Sequence, residues 1–360
     1  MTTGQENPAS WGSVLAGTGL VDDDLLLPLQ AFGITTIEDL ASLAITDAEA
    51  VSRLMPDADI ATLEGTLIDE SPLLQAAGGP QPNDGYFWFG AEPPPAASVP
   101  EQIPADPSLG LQDLVETDAV PPASPDLSDA INLSDDMQPI RDQQTRPTCV
   151  AHAGAAALEY ALKQRTGEPH DLSEQFLYWA CKTHDGFPNV EGTWINVVMT
   201  RMQADGSLLE PEWPYNPAPE VGDQAQGPPP GGWESAAANW MALTVNELPP
   251  KSSAEFLLSL SAGVPVAFSI PIFATSSEVR VWQNPTGKIP MPLPDTNRIG
   301  GHAMCAVGYQ PDETAPGGGF FIIRNSWGTR FASASPFGAG YGALPRAYID
   351  RFGMEAWALD

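Results

Sequence analysis

Between residues 76 and 125 the chain turns to proline, glycine, alanine and acids, as in GGPQPNDGYFWFGAEPPPAASVPEQIPADPS. Proline lacks a backbone donor and clashes with the preceding helical turn, so neither a long helix nor a central strand can run through such a stretch. It therefore divides the 360 residues more firmly than any other feature. We expect a small acidic helical module over 1–76, a linker or prosegment over 77–125, and a larger domain over 126–360. One detail does not fit a solvated linker. Tyr86, Phe87, Trp88 and Phe89 follow one another inside it, and burying an aromatic ring is worth roughly 1.5–3 kcal/mol. These rings should pack onto the larger domain, either with the proline-rich chain after them running on or near its functional cleft or only to hold the two domains together.

The first part carries helix-start signals. Thr36, with Asp39 three residues on, should cap IEDLASLA. Thr46 with Glu49 repeats the pattern before AEAVSRLM, and ADIATLEGTLIDESPLL gives a further helix. In outline the Gly-Ile turn before a capped helix is similar to helix–hairpin–helix or sterile-alpha-motif-like modules. A nucleic-acid role does not suit the charge: net charge is −31, and Arg53 is the only Lys or Arg among the first 140 residues. Such a surface repels phosphate backbones and anionic lipids. No apolar run is long enough to span a bilayer, and the N-terminus lacks a secretory signal, so a cytoplasmic location is expected, with delivery or encapsulation through the module left open.

The larger domain is mixed. Helical sequence follows Cys149 and recurs at LSEQFLYWACK and SSAEFLLSLSAG, whereas VPVAFSIPIF, HAMCAVGYQ and GFFIIRNSW are strand-like. A helix-rich half followed by a strand-rich half predicts an α+β arrangement of two lobes. NPAPEVGDQAQGPPPGGW should be a loop between them. Three cysteines, Cys149, Cys181 and Cys305, form no paired framework, and the four histidines make no metal-ligand cluster, so neither a metal nor another cofactor is expected.

Cys149 sits just after Pro147 and Thr148 at the mouth of an alanine-rich helix. There the unpaired N–H groups and the helix dipole favour an anion, and hence a thiolate. Taken alone, it could as well be a small buried hydrophobe. His302 in GGHAMCAVGY and Asn325 in RNSWG change that balance. On adjacent antiparallel strands, the amide oxygen of Asn325 can fix the imidazole of His302, leaving its other nitrogen toward a thiol. Trp327 can shield that bond, and Gln143, six residues before the thiol, can offer an N–H to an oxyanion beside the Cys149 N–H.

These residues, together with PIRDQQ, TCVAHA, LSEQFLYWAC, EPEWPY, TGKIPMP and GYGALPRAYI, resemble the papain-like cysteine peptidases over about residues 126–360, most closely their bacterial members. The resemblance implies a two-lobe papain-like fold, Cys149 as nucleophile, His302 as base and acid, Asn325 as its orienter, and Gln143 with Cys149 as oxyanion hole. It also implies a protein or peptide substrate. Substrate backbone should meet Gly192 and Gly301, and Ala267, in the PVAFSI segment, should line one wall of the cleft. Where the family has Cys-Gly-Ser-Cys-Trp this chain has RPTCV, so Arg146 replaces a disulfide cysteine, and Cys181 has no visible partner. His152 takes a helix position usually held by an aromatic residue and reads as packed, and Cys305 should point into the core. Loops at 216–235 and 274–298 should border the cleft. An acyl transferase using the same thioester and an inactive binding module of the same fold remain open, as does a docking, targeting or inhibitory role for the N-terminal module.

Overall fold

The computed structural model describes residues 14–56, 59–71, 91, 100–103, 130–218, 222–274, 282 and 284–359. The aromatic run 86–89 lies outside them. Four helices open the chain: α1 (Asp23–Ala31), α2 (Ile37–Thr46), α3 (Ala48–Leu54) and α4 (Ile60–Glu70). Thr36 and Asp39 form the expected reciprocal capping box on α2. The expected cap at Thr46 is corrected. Thr46 is the last residue of α2, and Asp47 caps α3 by accepting from the Ala50 N–H at 3.0 Å. Two cap-forming residues stand side by side, and α2 continues to the first of them.

The larger domain begins with β1 (Ile131–Asn132), followed by the helices α5 (Cys149–Thr166), α6 (Glu174–His184), α7 (Ile195–Ala204) and the short α8 (Trp233–Ala237). Then come β2 (Val245–Glu247), α9 (Ser253–Ser261), β3 (Val266–Ala274), β4 (Asn297–Pro311), β5 (Gly319–Arg324), β6 (Tyr341–Pro345), α10 (Arg346–Phe352) and β7 (Glu355–Leu359). The strands make one antiparallel sheet in the order β2-β7-β3-β4-β5-β6, with β1 added against β4.

The sheet is buried on both faces, which is why its strands read as near-continuous apolar runs. Ala267, Ala303, Cys305 and Val307 face the helical lobe, while Phe268, Ile270, Ile272 and Met304 face α9, α10 and the N-terminal helices. Helix α5 lies between the sheet and α7, and it is buried along every face from Cys149 to Leu162. Small side chains permit this: a Cβ at Gly154 would already stand 3.0 Å from Val198. At the far end Gly167 closes the helix in the left-handed conformation, φ 79°.

Helix α7 was not anticipated. Its N-cap residue, Trp194, supplies no capping side chain. Instead the Glu355 carboxylate accepts from the Ile195 N–H (2.9 Å) and the Asn196 N–H (3.0 Å). This is an N-terminal cap delivered from β7 in the other lobe.

Candidate active site

Cys149 is the first residue of α5, and its Sγ accepts from the Ala303 N–H at 3.4 Å. The thiol therefore lies against the residue that follows His302. His302 sits within β4 rather than at its start, because the strand runs straight through the Gly300–Gly301 pair. Asn325 directly follows β5, the antiparallel neighbour of β4. Its Oδ1 is 2.8 Å from His302 Nε2 and also accepts from the Ser326 N–H at 2.8 Å. A backbone N–H can only donate, so the second contact fixes which end of the amide is oxygen. Nε2 must then carry the proton, and Nδ1 is the ring nitrogen left for proton exchange.

Trp327 stacks on the imidazole, centroids 4.5 Å apart and planes 25° apart. Trp282, which sequence reasoning missed, meets the same imidazole edge-on at 6.3 Å and lies 5.9 Å from Trp327. Its signal was weak, a lone tryptophan inside a long loop. Both aromatic walls and the sheet bury His302 completely. That burial pushes its pKa down to about 4, against the upward pull of the Asn325 hydrogen bond.

Gln143 is held in place by its neighbours. Its Nε2 donates to the Arg146 carbonyl (3.1 Å), its Oε1 accepts from Ser326 Oγ (2.6 Å), and its backbone N–H donates to the Ser326 carbonyl (2.8 Å). These bonds tie the Gln143 loop to the loop carrying Asn325. Arg146, fully buried, donates to Gln175 Oε1 (2.5 Å), the Asn216 carbonyl (2.9 Å) and the Gln224 carbonyl (2.7 Å). It also stands over the Tyr178 ring at 4.9 Å. It thus joins the loop before Cys149 to α6 and to the 216–226 loop. Cys149, Cys181 and Cys305 are all buried, and none of them is in a disulfide.

His152 packs within its own helix, with Nδ1 3.0 Å from the Thr148 carbonyl and its ring edge-on to Tyr215 at 5.0 Å. Burial lowers its pKa to about 4. Beneath the site a small interior cavity is lined by Arg141, Glu159, Glu174 and Arg324 together with His152 and Asn325. Burial, and then the neighbouring Glu174, raise the Glu159 carboxyl to about 8. Among the described residues no cluster of three or more His, Cys, Asp or Glu could hold a metal ion.

One residue from before the larger domain lies between its two lobes. Ala91 is fully buried, its N–H donates to the Gly301 carbonyl at 3.1 Å, and it forms a parallel bridge with Thr193. A Cβ at Gly301 would collide with the Ala91 carbonyl oxygen, so only glycine admits this approach. Gly192 has a left-handed backbone, φ 76°. Its N–H goes to Tyr178 Oη (3.2 Å) and its carbonyl receives Lys182 Nζ (2.8 Å), so the residue facing the segment is Thr193. Ala267 lies buried in β3 between its partners Cys305 and Trp357.

Residues 122–355 match the family described as papain family cysteine protease. The chain belongs to that family. Among curated relatives it is 25% identical over 227 residues to an uncharacterized peptidase C1-like protein of Acanthamoeba polyphaga mimivirus, covering 61% of this chain and 68% of the relative. It is 27% identical over 226 residues to a senescence-specific cysteine protease of Arabidopsis thaliana, covering 61% of this chain and 57% of that protein's length. Xylellain, a cysteine protease from Xylella fastidiosa, shares the fold with a TM-score of 0.52 at 21% identity, over 77% of this chain and 95% of xylellain. The family assignment makes the protein a cysteine peptidase, with a protein or peptide as substrate. No helix among the described residues is long and apolar enough to cross a membrane.

Proposed function

We propose that this papain-family peptidase hydrolyses internal peptide bonds through a Cys149 thioester, and that its N-terminal region restrains it. The observation that carries the chemistry is the thiol at the start of α5, 3.4 Å from the Ala303 N–H and next to an imidazole whose Nε2 is held by Asn325. The helix dipole favours an anion at that end. The thiolate attacks the scissile carbonyl carbon, forming the C–S bond while the oxyanion accepts from the Cys149 N–H and from the second Nε2–H of Gln143, the first being held by the Arg146 carbonyl. His302 carries the thiol proton on Nδ1 and passes it to the leaving amine. Water, deprotonated by the same nitrogen, then releases the acid and restores the thiol. Asn325 holds the ring in place, and Trp327 covers that hydrogen bond. An active-site-directed peptidyl thiol reagent followed by intact-mass measurement tests the assignment. One adduct on the native protein and none on Cys149→Ala is expected, and cleavage of a peptide pool should disappear in the same variant. Amide adducts to added amines instead of hydrolysis would favour acyl transfer.

The restraint rests on Ala91. Its backbone lies between Gly301, which precedes the base, and Thr193, which follows the glycine assigned to substrate backbone, so chain and substrate compete for one place. Ala91→Arg puts a charge where the chain is fully buried and leaves every cleft residue intact. Basal turnover should rise roughly tenfold or more, since an unpaired buried charge is not tolerated. Unchanged turnover would refute the restraint.

A further inference from the structure

The N-terminal helices do not merely touch the catalytic lobe; they complete its core. Phe32, Ile34 and Leu40 belong to the same buried cluster as Met291, Leu293 and Phe352. The polar contacts converge on one loop, residues 284–295. The Met291 N–H donates to the Phe32 carbonyl at 2.9 Å. Lys288 Nζ reaches Asp39 Oδ2 (2.7 Å) and Thr35 Oγ1 (2.8 Å), with both charged side chains almost fully buried at 3% and 4% exposed. Ser42 Oγ donates to Asn284 Oδ1 (3.1 Å). Arg53, the only cation in the first 140 residues, donates to the carbonyls of Pro294 and Asp295, both at 3.3 Å. By contrast, the described residues of the intervening chain make thin contacts. These are the backbone pairing of Ala91, and a short strip at 101–103 alongside residues 295–298 with the Glu101–Arg298 and Gln102–Asp295 side-chain bonds.

We propose that residues 14–71 are a permanent part of the catalytic lobe, remaining bound without a covalent link when the chain is hydrolysed on both sides of Ala91. The proposal deepens the restraint described above. The inhibitory element is then the short cleft segment alone, and the helical module is a retained second chain. Each hydrolysis adds one water across a peptide bond and leaves a carboxylate and an amine. The retention also has a use at the site. The loop that grips the module follows directly on Trp282, which packs on His302 and Trp327. Losing the module would expose the apolar face of the lobe and release the anchor of that aromatic wall.

The test uses the full chain with two inserted recognition sites for a specific protease, one within 76–85 and one within 108–125, in native and Cys149→Ala forms. After both cuts, native mass and size exclusion at about micromolar concentration should show the module and the catalytic part as a one-to-one complex. Peptidase activity of the native form should rise roughly tenfold or more. Loss of the module from the larger fragment, whether that fragment stays folded or precipitates, overturns the proposal. A retained module with activity unchanged by cutting sinks the restraint and leaves the docking standing, so the two failures are distinct. Lys288→Met leaves Asp39 buried without its cation and should weaken retention on the order of a hundredfold. Lys288→Met with Asp39→Asn, which keeps the helix cap, should recover most of it. Equal retention in the native, single and double forms would show that this contact does not hold the module.

Discussion

Replacing Arg146 by alanine removes a fully buried guanidinium, at the position where the sequence resemblance implies a disulfide cysteine. Its two terminal nitrogens make three hydrogen bonds, to Gln175 Oε1, the Asn216 carbonyl and the Gln224 carbonyl, all between 2.5 and 2.9 Å. Hydrogen bonds with a charged partner contribute about 1.5 kcal/mol each at the low end, so the three together stabilise by about 4–5 kcal/mol. That agrees with the cost of about 3–5 kcal/mol for breaking a buried charged contact from one side. For a chain of this size each kcal/mol moves Tm by about 2–4 °C, so Arg146→Ala should melt about 10–15 °C lower. Arg146→Lys keeps the charge but has one donor head in place of a planar fork, and it should recover only part of the loss. Thermal melts in a Cys149→Ala background, where self-digestion is absent, measure both. Limited proteolysis should find the 216–226 loop newly cleavable. A shift below about 3 °C for the alanine variant, or a lysine variant as stable as the parent, would refute the view that this fork stands in for a cross-link.

Cys149→Ala should abolish peptide hydrolysis with little change in Tm, whereas Asn325→Ala should retain measurable turnover because Asn325 orients His302 without exchanging a proton; steady-state rates of both variants check the division of roles. Glu159 has its folded pKa raised to about 8 from an ordinary 4.5, so its contribution to stability is complete below about 4.5 and lost as pH rises through about 8. Glu159→Gln should therefore flatten the fall in Tm between pH 5 and pH 8.5, and identical slopes in variant and parent would count against the buried neutral carboxyl. Alkylation of Cys149 by iodoacetamide should be faster in Ala91→Arg than in the parent across the neutral range, since the same displacement opens the thiol; equal rates would place Ala91 outside the path to it.

Local chemistry made some of this legible in the sequence and hid the rest. Cys149 after Pro147 at the mouth of an alanine-rich run places a thiol at a helix start, and α5 begins at that residue. The continuous apolar runs of β3, β4 and β5 read as strands because both faces of the sheet are buried. The Thr36–Asp39 box is a signal four residues long and needs nothing else. What depended on distant partners was missed. Helix α7 lacks a local cap because its cap is Glu355, 160 residues away in sequence. His302 looked like a strand start because two glycines precede it, yet Gly301 is there to admit the Ala91 backbone while the strand continues. The bonds of Tyr178 and Lys182 to both backbone groups of Gly192 also come from a helix, fourteen and ten residues before it, and had no local signal. The shared core between the N-terminal helices and the β-rich lobe had no sequence signature, since it joins positions about 250 residues apart through Lys288 and Asp39.

A common device runs through the loops that carry the site, and it explains how they hold their geometry with three free cysteines. Each loop is fixed by a buried charge whose partners are mainly backbone groups. Arg146 takes carbonyls of the 216–226 loop; Lys182, paired with Asp185 at 2.6 Å, takes the Gly192 carbonyl; and Arg324 takes those of Gln138 (2.6 Å) and Pro139 (2.7 Å). Glu355 does the converse, receiving two N–H groups at the start of α7. A charge bound to backbone dipoles fixes the path of the main chain, whichever side chains that chain carries. A side-chain ion pair fixes only two residues. The residues that lend a carbonyl to these cations, Gln138, Pro139, Asn216 and Gln224, can therefore vary in side chain while Cys149 and Asn325 keep their places. In a reducing environment a guanidinium or carboxylate bound to the main chain persists where a disulfide would be lost.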